Sequence, residues 1–445
     1  MSFEISSNIT EQSPKLGGFA GVDIPNYDFI TNCMHCGLCL PTCPTYSLTG
    51  LERSSPRGRI RLIKSVADGE LEMTQTFIDE MNFCLDCQAC ETACPAGVKY
   101  GALVEAARAQ IFQKRVLPLK ERLLKWIFLK NVLSSKWKLK LTAGLFRIYQ
   151  QWGIESVIKK SGVLKIFSSK LNDLQALAPR IDTQYSDKII PEILKPQGTA
   201  KYRVGFLSGC LMNVAFAGIN KDTVDVLLHN GCEVITPREQ ECCGSLQAHS
   251  GDFETARRLA RHNIEVFSKY ELDAIVMNSA GCGAFMKEYG HYLNDDAMYA
   301  EKARILSTKI KDISEFLIGI EFRIPTTQFN KRVAYHDACH LAHAQKISTE
   351  PRILLAMIPG IDLVELPEAS WCCGSAGIYN VVHYDDSMKL LERKMDNVKS
   401  TEAEIIVANN PGCLGQMQYG ANKFDVDVEI IHFSTLLKRA YRLEN

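Results

Sequence analysis

The sequence predicts a multidomain chain of mixed α+β and α/β class: an amino-terminal α-helical module built around cysteine loops, a helical linker, and two tandem cysteine-rich α/β domains with parallel sheets. Three observations predict it. Two identically spaced cysteine runs lie within the first hundred residues, a basic stretch without cysteine follows, and the remaining cysteines recur in a pattern that repeats after about 130 residues. The divisions expected are 1–24 as a flexible N-terminus, 25–113 as the helical module, 114–199 as the linker, and 200–325 and 326–445 as the two repeats.

At 445 residues and 46% hydrophobic content the chain has material for several packed cores. Its formal net charge is zero, which excludes a whole-chain polyanion or nucleic-acid signature. No run approaches the roughly 20 apolar residues that span a bilayer, and the first twenty residues lack the basic start and apolar stretch of a signal peptide. The expected location is therefore the cytoplasm, where 17 cysteines point to metal or redox chemistry rather than disulfides.

Cys33, Cys36, Cys39 and Cys43 followed by Pro44 read C-x2-C-x2-C-x3-C-P, and Cys84, Cys87, Cys90 and Cys94 followed by Pro95 repeat the spacing. This is the ligand run of bacterial ferredoxins that carry [4Fe–4S] clusters. Steps of three along a helix would fan the sulfurs around its axis, so the spacing suits a loop wrapped over a compact cluster, with N–H groups facing the anionic sulfur. In two-cluster ferredoxins the fourth cysteine of each run ligates the other cluster. One cluster is thus expected on Cys33, Cys36, Cys39 and Cys94, and the other on Cys84, Cys87, Cys90 and Cys43. Structural zinc or free core thiols are the plainer readings, and two full copies of the pattern argue against both. Between the runs, Ser54-Ser55-Pro56 reads as a helix start. Arg57, Arg59 and Arg61 beyond it either face the clusters or a partner or, as the commoner case, form a solvated face.

From Lys114 to Lys170 fourteen Lys/Arg stand against two Glu, and Trp126, Trp137 and Trp152 lie among them. Apolar spacing predicts helices at Ala102–Lys114 and Leu119–Lys130. The mixture suits peripheral contact with a membrane surface, or an acidic partner's docking face. A linker with solvated lysines and inward-packed Trp and Leu is an equally good reading.

The rest of the chain is duplicated. Cys210, Cys242-Cys243-Gly244 and Cys282 are answered by Cys339, Cys372-Cys373-Gly374 and Cys413 at offsets of 129, 130 and 131 residues. Short β-rich runs at Tyr202–Leu207, Cys232–Thr236, Ala274–Met277, Arg332–Tyr335, Leu363–Leu366 and Ile405–Ala408 alternate with helical stretches at Asp222–Asn230, Thr255–Tyr270 and Ser387–Val398. Such alternation predicts parallel sheets. Cysteines following strands fall at the carboxyl ends, where open sheets bind ligands, so Cys210, Cys242, Cys243 and Cys282, and Cys339, Cys372, Cys373 and Cys413, are candidate sites for an additional cluster. Zinc, a redox-active thiol pair or an empty inherited site are the alternatives, whereas a bridge between adjacent cysteines is strained. His336, His340 and His343 near Cys339 read as hydrogen-bonded structural residues.

These elements, with the strings Cys33-Met-His-Cys-Gly-Leu-Cys-Leu-Pro-Thr-Cys-Pro-Thr-Tyr46, Pro56-Arg-Gly-Arg-Ile60, Ser279-Ala-Gly-Cys-Gly-Ala-Phe285, Lys287-Glu-Tyr-Gly290 and Cys372-Cys-Gly-Ser-Ala-Gly377, resemble the iron–sulfur subunit of bacterial glycolate oxidase. The resemblance implies flavin-bearing partner subunits, with FAD, that oxidise glycolate, and electrons passing through this chain to a quinone or another membrane acceptor. Related subunits serve lactate utilisation, anaerobic glycerol-3-phosphate oxidation and heterodisulfide reduction. In the last of these the CCG domain ends in C-x2-C and holds a noncubane cluster through five cysteines; here Phe285 and Gln416 stand at the fifth positions. Dehydrogenation of a 2-hydroxy acid needs a cofactor such as flavin, and no glycine-rich dinucleotide fingerprint follows a strand here, so that step is expected on a partner. Two other readings are a chain that itself reduces a disulfide or quinone at its CCG pairs, and a scaffold whose clusters only stabilise the fold.

Overall fold

A computed structural model describes residues 18–114, 123, 126–152 and 171–442. The segment 1–17, most of the expected flexible N-terminus, residues 119–122, 124 and 125 of the expected helix Leu119–Lys130, and residues 153–170 of the linker lie outside them.

The amino-terminal module is a cluster of short helices joined by the two cysteine loops. Ser55 caps helix Pro56–Ala67 by accepting from Gly58 N at 3.0 Å, with Pro56 in the first turn, as the Ser-Ser-Pro signal predicts. Helices Pro56–Ala67, Gln75–Phe83 and Tyr100–Gln113 bury Ile63, Val66, Phe77, Met81, Leu103, Val104 and Ala107 against one another. The three arginines divide between the expected solvated face and the alternative that faces the cysteine loops. Residues two apart on a helix lie about 200° apart, so Arg59 is 0% exposed while Arg61 faces solvent and the half-buried Arg57 reaches over the first cysteine loop, donating to His35 O at 3.1 Å.

Each repeat is an open parallel sheet flanked by helices. The first contains β1 (Ile193–Leu194), β2 (Tyr202–Phe206), β3 (Cys232–Ile235), β4 (Ala274–Met277) and β5 (Ile310–Asp312) in the order β1-β3-β2-β4-β5; only the β1–β3 pair is antiparallel. The second contains β6 (Lys331–His336), β7 (Ile361–Val364), β8 (Ile405–Ala408) and β9 (Glu429–His432) in the order β7-β6-β8-β9, all parallel. Leaving out β1, the two orders coincide. Strands β4 and β8 are buried at every residue, which is why they read as unbroken apolar runs.

The repeats share one core. Val204, Phe206 and Val276 of the first sheet cluster with Val333, Tyr335 and Val407 of the second, and with Phe433, Leu436 and Leu437 of the closing helix Phe433–Tyr441. Their strand ends are stitched by equivalent asparagines: His432 Nε2 donates to Asn278 O at 2.9 Å, and Asn409 Nδ2 donates to Asp312 Oδ1 at 3.2 Å.

In the described part of the basic segment Leu129 packs inward as expected, but the next helix turns most of its apolar residues out. In helix Lys136–Gln151 it is Leu139 and Ala143 that are buried, whereas Trp137, Leu141, Leu145 and Ile148, with Trp152 just beyond, are exposed along one face. Its cations are turned onto the protein instead: Lys140 and Lys136 pair with Asp187, and Arg147 donates to Thr183 O at 2.6 Å. Among the described residues no helix is long and apolar enough to cross a membrane.

Candidate metal centres

Both amino-terminal runs follow the same backbone path. Cys33 and Cys84 each open a loop in which the residues two and four further on have positive φ: His35 (55°) and Gly37 (88°) in the first, Asp86 (54°) and Gln88 (59°) in the second. These left-handed residues wind each loop so that amides turn inward, and Asp86 N lies 3.3 Å from Cys84 Sγ. The loop expectation holds except at Cys90, which sits on the single helical turn Ala89–Thr92.

The fourth cysteine of each run also reaches the other run. Cys33, Cys36, Cys39 and Cys94 line one concavity, roofed by Pro56, Arg57, Ile60 and Val98, with Cys90 also on its wall. Cys43 does not line that concavity; it stands at the N-terminus of helix Pro44–Thr49 and acts electrostatically on Cys87 and Cys90 of the other run as well as on Cys39 of its own. Polar groups are aimed at these sulfurs: Thr45 Oγ1 lies 3.3 Å from Cys43 Sγ, and Tyr100 Oη donates to Cys84 Sγ at 3.5 Å. Arg59, fully buried, donates to Thr45 Oγ1 at 3.1 Å and to Glu80 O at 2.7 Å, which holds a permanent cation beside Cys43 and Cys84.

This donor set fits a bound cationic cluster. Burial first, and then neighbouring sulfur, pushes the Cys87 and Cys90 thiols well up, so sulfurs packed this tightly need a positive centre to become thiolates together.

The CCG motifs form a second kind of site. Cys210 and Cys339 come a few residues after β2 and β6, while Cys282 and Cys413 lie in the first turn of helices Ala280–Lys287 and Pro411–Lys423, directly after β4 and β8. In each repeat the four thiols touch in a chain. Cys242 Sγ lies 3.7 Å from Cys210 Sγ and contacts Cys243, which contacts Cys282; the second repeat links Cys339, Cys372, Cys373 and Cys413 alike. Gly244 (φ 97°) and Gly374 (φ 87°) let the chain turn back beneath them; a Cβ on Gly374 would meet Ser387 O at 2.7 Å. No disulfide links the cysteines, and Cys232 is a core residue of β3.

Three features escaped the sequence reading. His336 was expected to be a hydrogen-bonded structural residue, as His340 and His343 are, through Asp86 O at 2.9 Å and Thr92 Oγ1 at 3.1 Å. It has no hydrogen-bond partner among nitrogen and oxygen atoms and lies against Cys373 and Cys413, the three ligand atoms within 4.8 Å of one another. Its signal was its place at the end of a strand, three residues before a cysteine. Second, the module docks its second run on the second repeat: Leu85 and Cys87 pack with Cys339, Trp371 and Cys372. Third, an ionic junction ties the module to the first repeat. His249 Nδ1 lies 2.5 Å from Glu105 and 3.2 Å from Asp86. Burial opposes its charge, but Glu105 and Asp86 raise it to about 10.

A helical module with two cysteine loops, fused to a duplicated α/β domain that gathers four sulfurs in each copy, defines a two-cluster iron–sulfur protein with tandem CCG domains. Family models agree: a 4Fe-4S dicluster domain matches residues 29–98, a cysteine-rich domain matches 204–287 and 333–418, and the linker region of the glycolate oxidase iron-sulfur subunit matches 120–178. The chain is 41% identical over 92% of its length to a Bacillus subtilis (strain 168) protein named probable glycolate oxidase iron-sulfur subunit, covering 94% of that protein. It is 34% identical over 86% of its length to the glycolate oxidase iron-sulfur subunit of Escherichia coli (strain K12), covering 88% of it. A lactate utilization protein A of Oceanobacillus iheyensis is 30% identical over 53% of this chain and 96% of its own length. The chain belongs to the glycolate oxidase iron–sulfur subunit family.

Proposed function

We propose that this chain is the electron-carrying subunit of a flavin-dependent glycolate oxidase complex, taking electrons from a flavin-bearing partner and delivering them to a quinone or another membrane acceptor. The observation that carries the reading is family membership along almost the whole chain, at 41% identity over 92% of it. Cys33, Cys36, Cys39 and Cys94 would hold one [4Fe–4S] cluster, and Cys84, Cys87, Cys90 and Cys43 the other, which supports the crossed arrangement through the shared concavity and the placement of Cys43. Such clusters supply one-electron redox chemistry and no hydride chemistry, so the two-electron oxidation falls to the partner. The protein's own contribution is to bury the sulfurs, donate to them from Tyr100 and backbone amides, and place Arg59 as a fixed countercharge.

Attachment to the membrane is assigned to the exposed stripe Trp137, Leu141, Leu145, Ile148 and Trp152, an apolar face of the kind that beds into a lipid interface. Lys136 and Lys140 on the same helix are paired with Asp187, which leaves the stripe as that helix's exposed feature. Co-flotation with liposomes that disappears in Trp137→Glu/Leu141→Glu and survives high salt is the expected result; flotation unchanged by these substitutions counts against the assignment.

The test of function is co-purification with the flavin subunits under anaerobic conditions, followed by addition of glycolate. Bleaching of the cluster absorbance by glycolate, only when the flavin subunits are present, is expected. Reduction by lactate instead would move the substrate to that of the lactate-utilisation relatives, and clusters left oxidised by either would remove the carrier role.

A further inference from the structure

The two repeats surround the same four sulfurs with different side chains. At the 129-residue offset that relates Cys210 to Cys339, His336 stands where the first repeat has Leu207; at the 131-residue offset that relates Cys282 to Cys413, Lys394 stands where it has Asn263. His336 ends β6 and is 1% exposed, and neither ring nitrogen has a nitrogen or oxygen hydrogen-bond partner. Leaving such a group buried and unsatisfied is destabilising, and a metal–ligand bond removes that cost. What faces the ring is sulfur, with the ligand atoms of His336, Cys373 and Cys413 within 4.8 Å of one another.

We propose that the second repeat holds an iron–sulfur centre of mixed imidazole and thiolate ligation, with His336 as its nitrogen ligand beside Cys373 and Cys413, and that the first repeat, with Leu207 in that place, builds no such centre. The inference rests on the chain being an iron–sulfur carrier and adds a ligand and an asymmetry to that reading. A lone zinc would use four of the donors Cys339, Cys372, Cys373, Cys413 and His336 and leave the fifth without a role. The site also abuts the second amino-terminal run, since Cys339 and Cys372 pack with Leu85 and Cys87.

The charge around the site has a direction too. A neutral imidazole in place of a thiolate leaves a cluster less negative, and Lys394, 0% exposed and donating to Glu368 O at 2.6 Å and Ala369 O at 3.2 Å, adds a buried cation near Cys372 and Cys373. Both favour the reduced form, so this centre has a higher potential than one ligated by sulfur alone, the direction histidine ligation takes in Rieske proteins.

The experiment uses the full chain purified without oxygen, unlabelled and with 15N-histidine, and combines iron and zinc counts with pulsed electron paramagnetic resonance of the reduced protein. Expected are more than about eight irons, given four per cluster, and one centre with a nitrogen coupling that changes from 14N to 15N on histidine labelling. His336→Leu, which copies the side chain of the first repeat, removes that coupling and leaves the signals of the amino-terminal clusters. The labelled wild type answers the question even where the variant fails to fold. A third centre with no histidine coupling, zinc in the second repeat, or no metal there with both amino-terminal clusters present overturns the proposal. Empty amino-terminal runs would instead overturn the carrier reading beneath it.

Discussion

The chain contains two duplications that behave differently. The amino-terminal cysteine runs, 51 residues apart, keep the same spacing and left-handed backbone at the same two positions of each loop. The two CCG repeats keep their strand order and four sulfurs but differ around them, with Leu207, Asn263 and Phe285 in the first where the second has His336, Lys394 and Gln416. The physical difference is in who owns the donors. Under crossed ligation each run lends a sulfur to the other, so neither loop can move or change alone; each CCG pocket draws all four sulfurs from its own sheet and can take on its own chemistry.

That contrast is broken most directly by removing one sulfur from each kind of site. Cys43→Ser is expected to damage the cluster of the distant Cys84, Cys87 and Cys90 run and to cost about four irons, whereas Cys373→Ser leaves both amino-terminal clusters intact. Cluster-resolved spectra after Cys43→Ser that show loss only at Cys33, Cys36 and Cys39 would refute shared ownership.

A smaller effect separates the repeats themselves. Gly374→Ala meets Ser387 O at 2.7 Å, but the nearest atoms to a Cβ on Gly244 are Phe285 at 3.1 Å and Ala256 O at 3.2 Å. Both positions have positive φ. Each substitution should therefore destabilise by about 1–3 kcal/mol, more in the second repeat than in the first, and equal losses in denaturant melts would show that the two turns tolerate a side chain alike.

The smallest effect concerns how the module is attached. His249 is raised from its ordinary 6.5 to about 10 by Glu105 and Asp86, despite burial. Because its folded pKa lies above the unfolded one, its contribution is complete below pH about 6.5 and is lost as pH rises through about 10. The gap in thermal stability between wild type and His249→Gln should thus narrow from pH 7 toward pH 10. A gap that is flat across that range would place the stabilising charge elsewhere.

Much of this architecture was legible in the sequence, and the failures have physical causes. Strands β2, β3, β4, β6 and β8 were expected within a residue or two of where they lie, because central parallel strands are apolar on both faces. β7 was placed two residues late, and β1, β5 and β9, of two, three and four residues, went unread since edge strands that short leave no pattern. The eight amino-terminal cysteines were singled out from spacing alone. Arg59 was not, because a run of alternating arginines looks uniformly polar until helix geometry turns every second one inward. His336 was missed for a related reason: burial and the absence of a hydrogen-bond partner are properties of the folded neighbourhood, and only the comparison with Leu207 hints at them in the sequence. The exposed stripe from Trp137 to Trp152 carries helical periodicity whichever way it points, so its direction came only from the structure.

The central claim is that sulfur from two distant loops closes around a pair of iron–sulfur clusters. It is tested most directly by Mössbauer spectroscopy and metal analysis of the full chain, grown with 57Fe and purified without oxygen. The account predicts at least about eight irons with two [4Fe–4S] signatures, both affected by Cys43→Ser and Cys94→Ser in the crossed sense. Colourless protein with zinc, or with no metal, on those eight cysteines would contradict it.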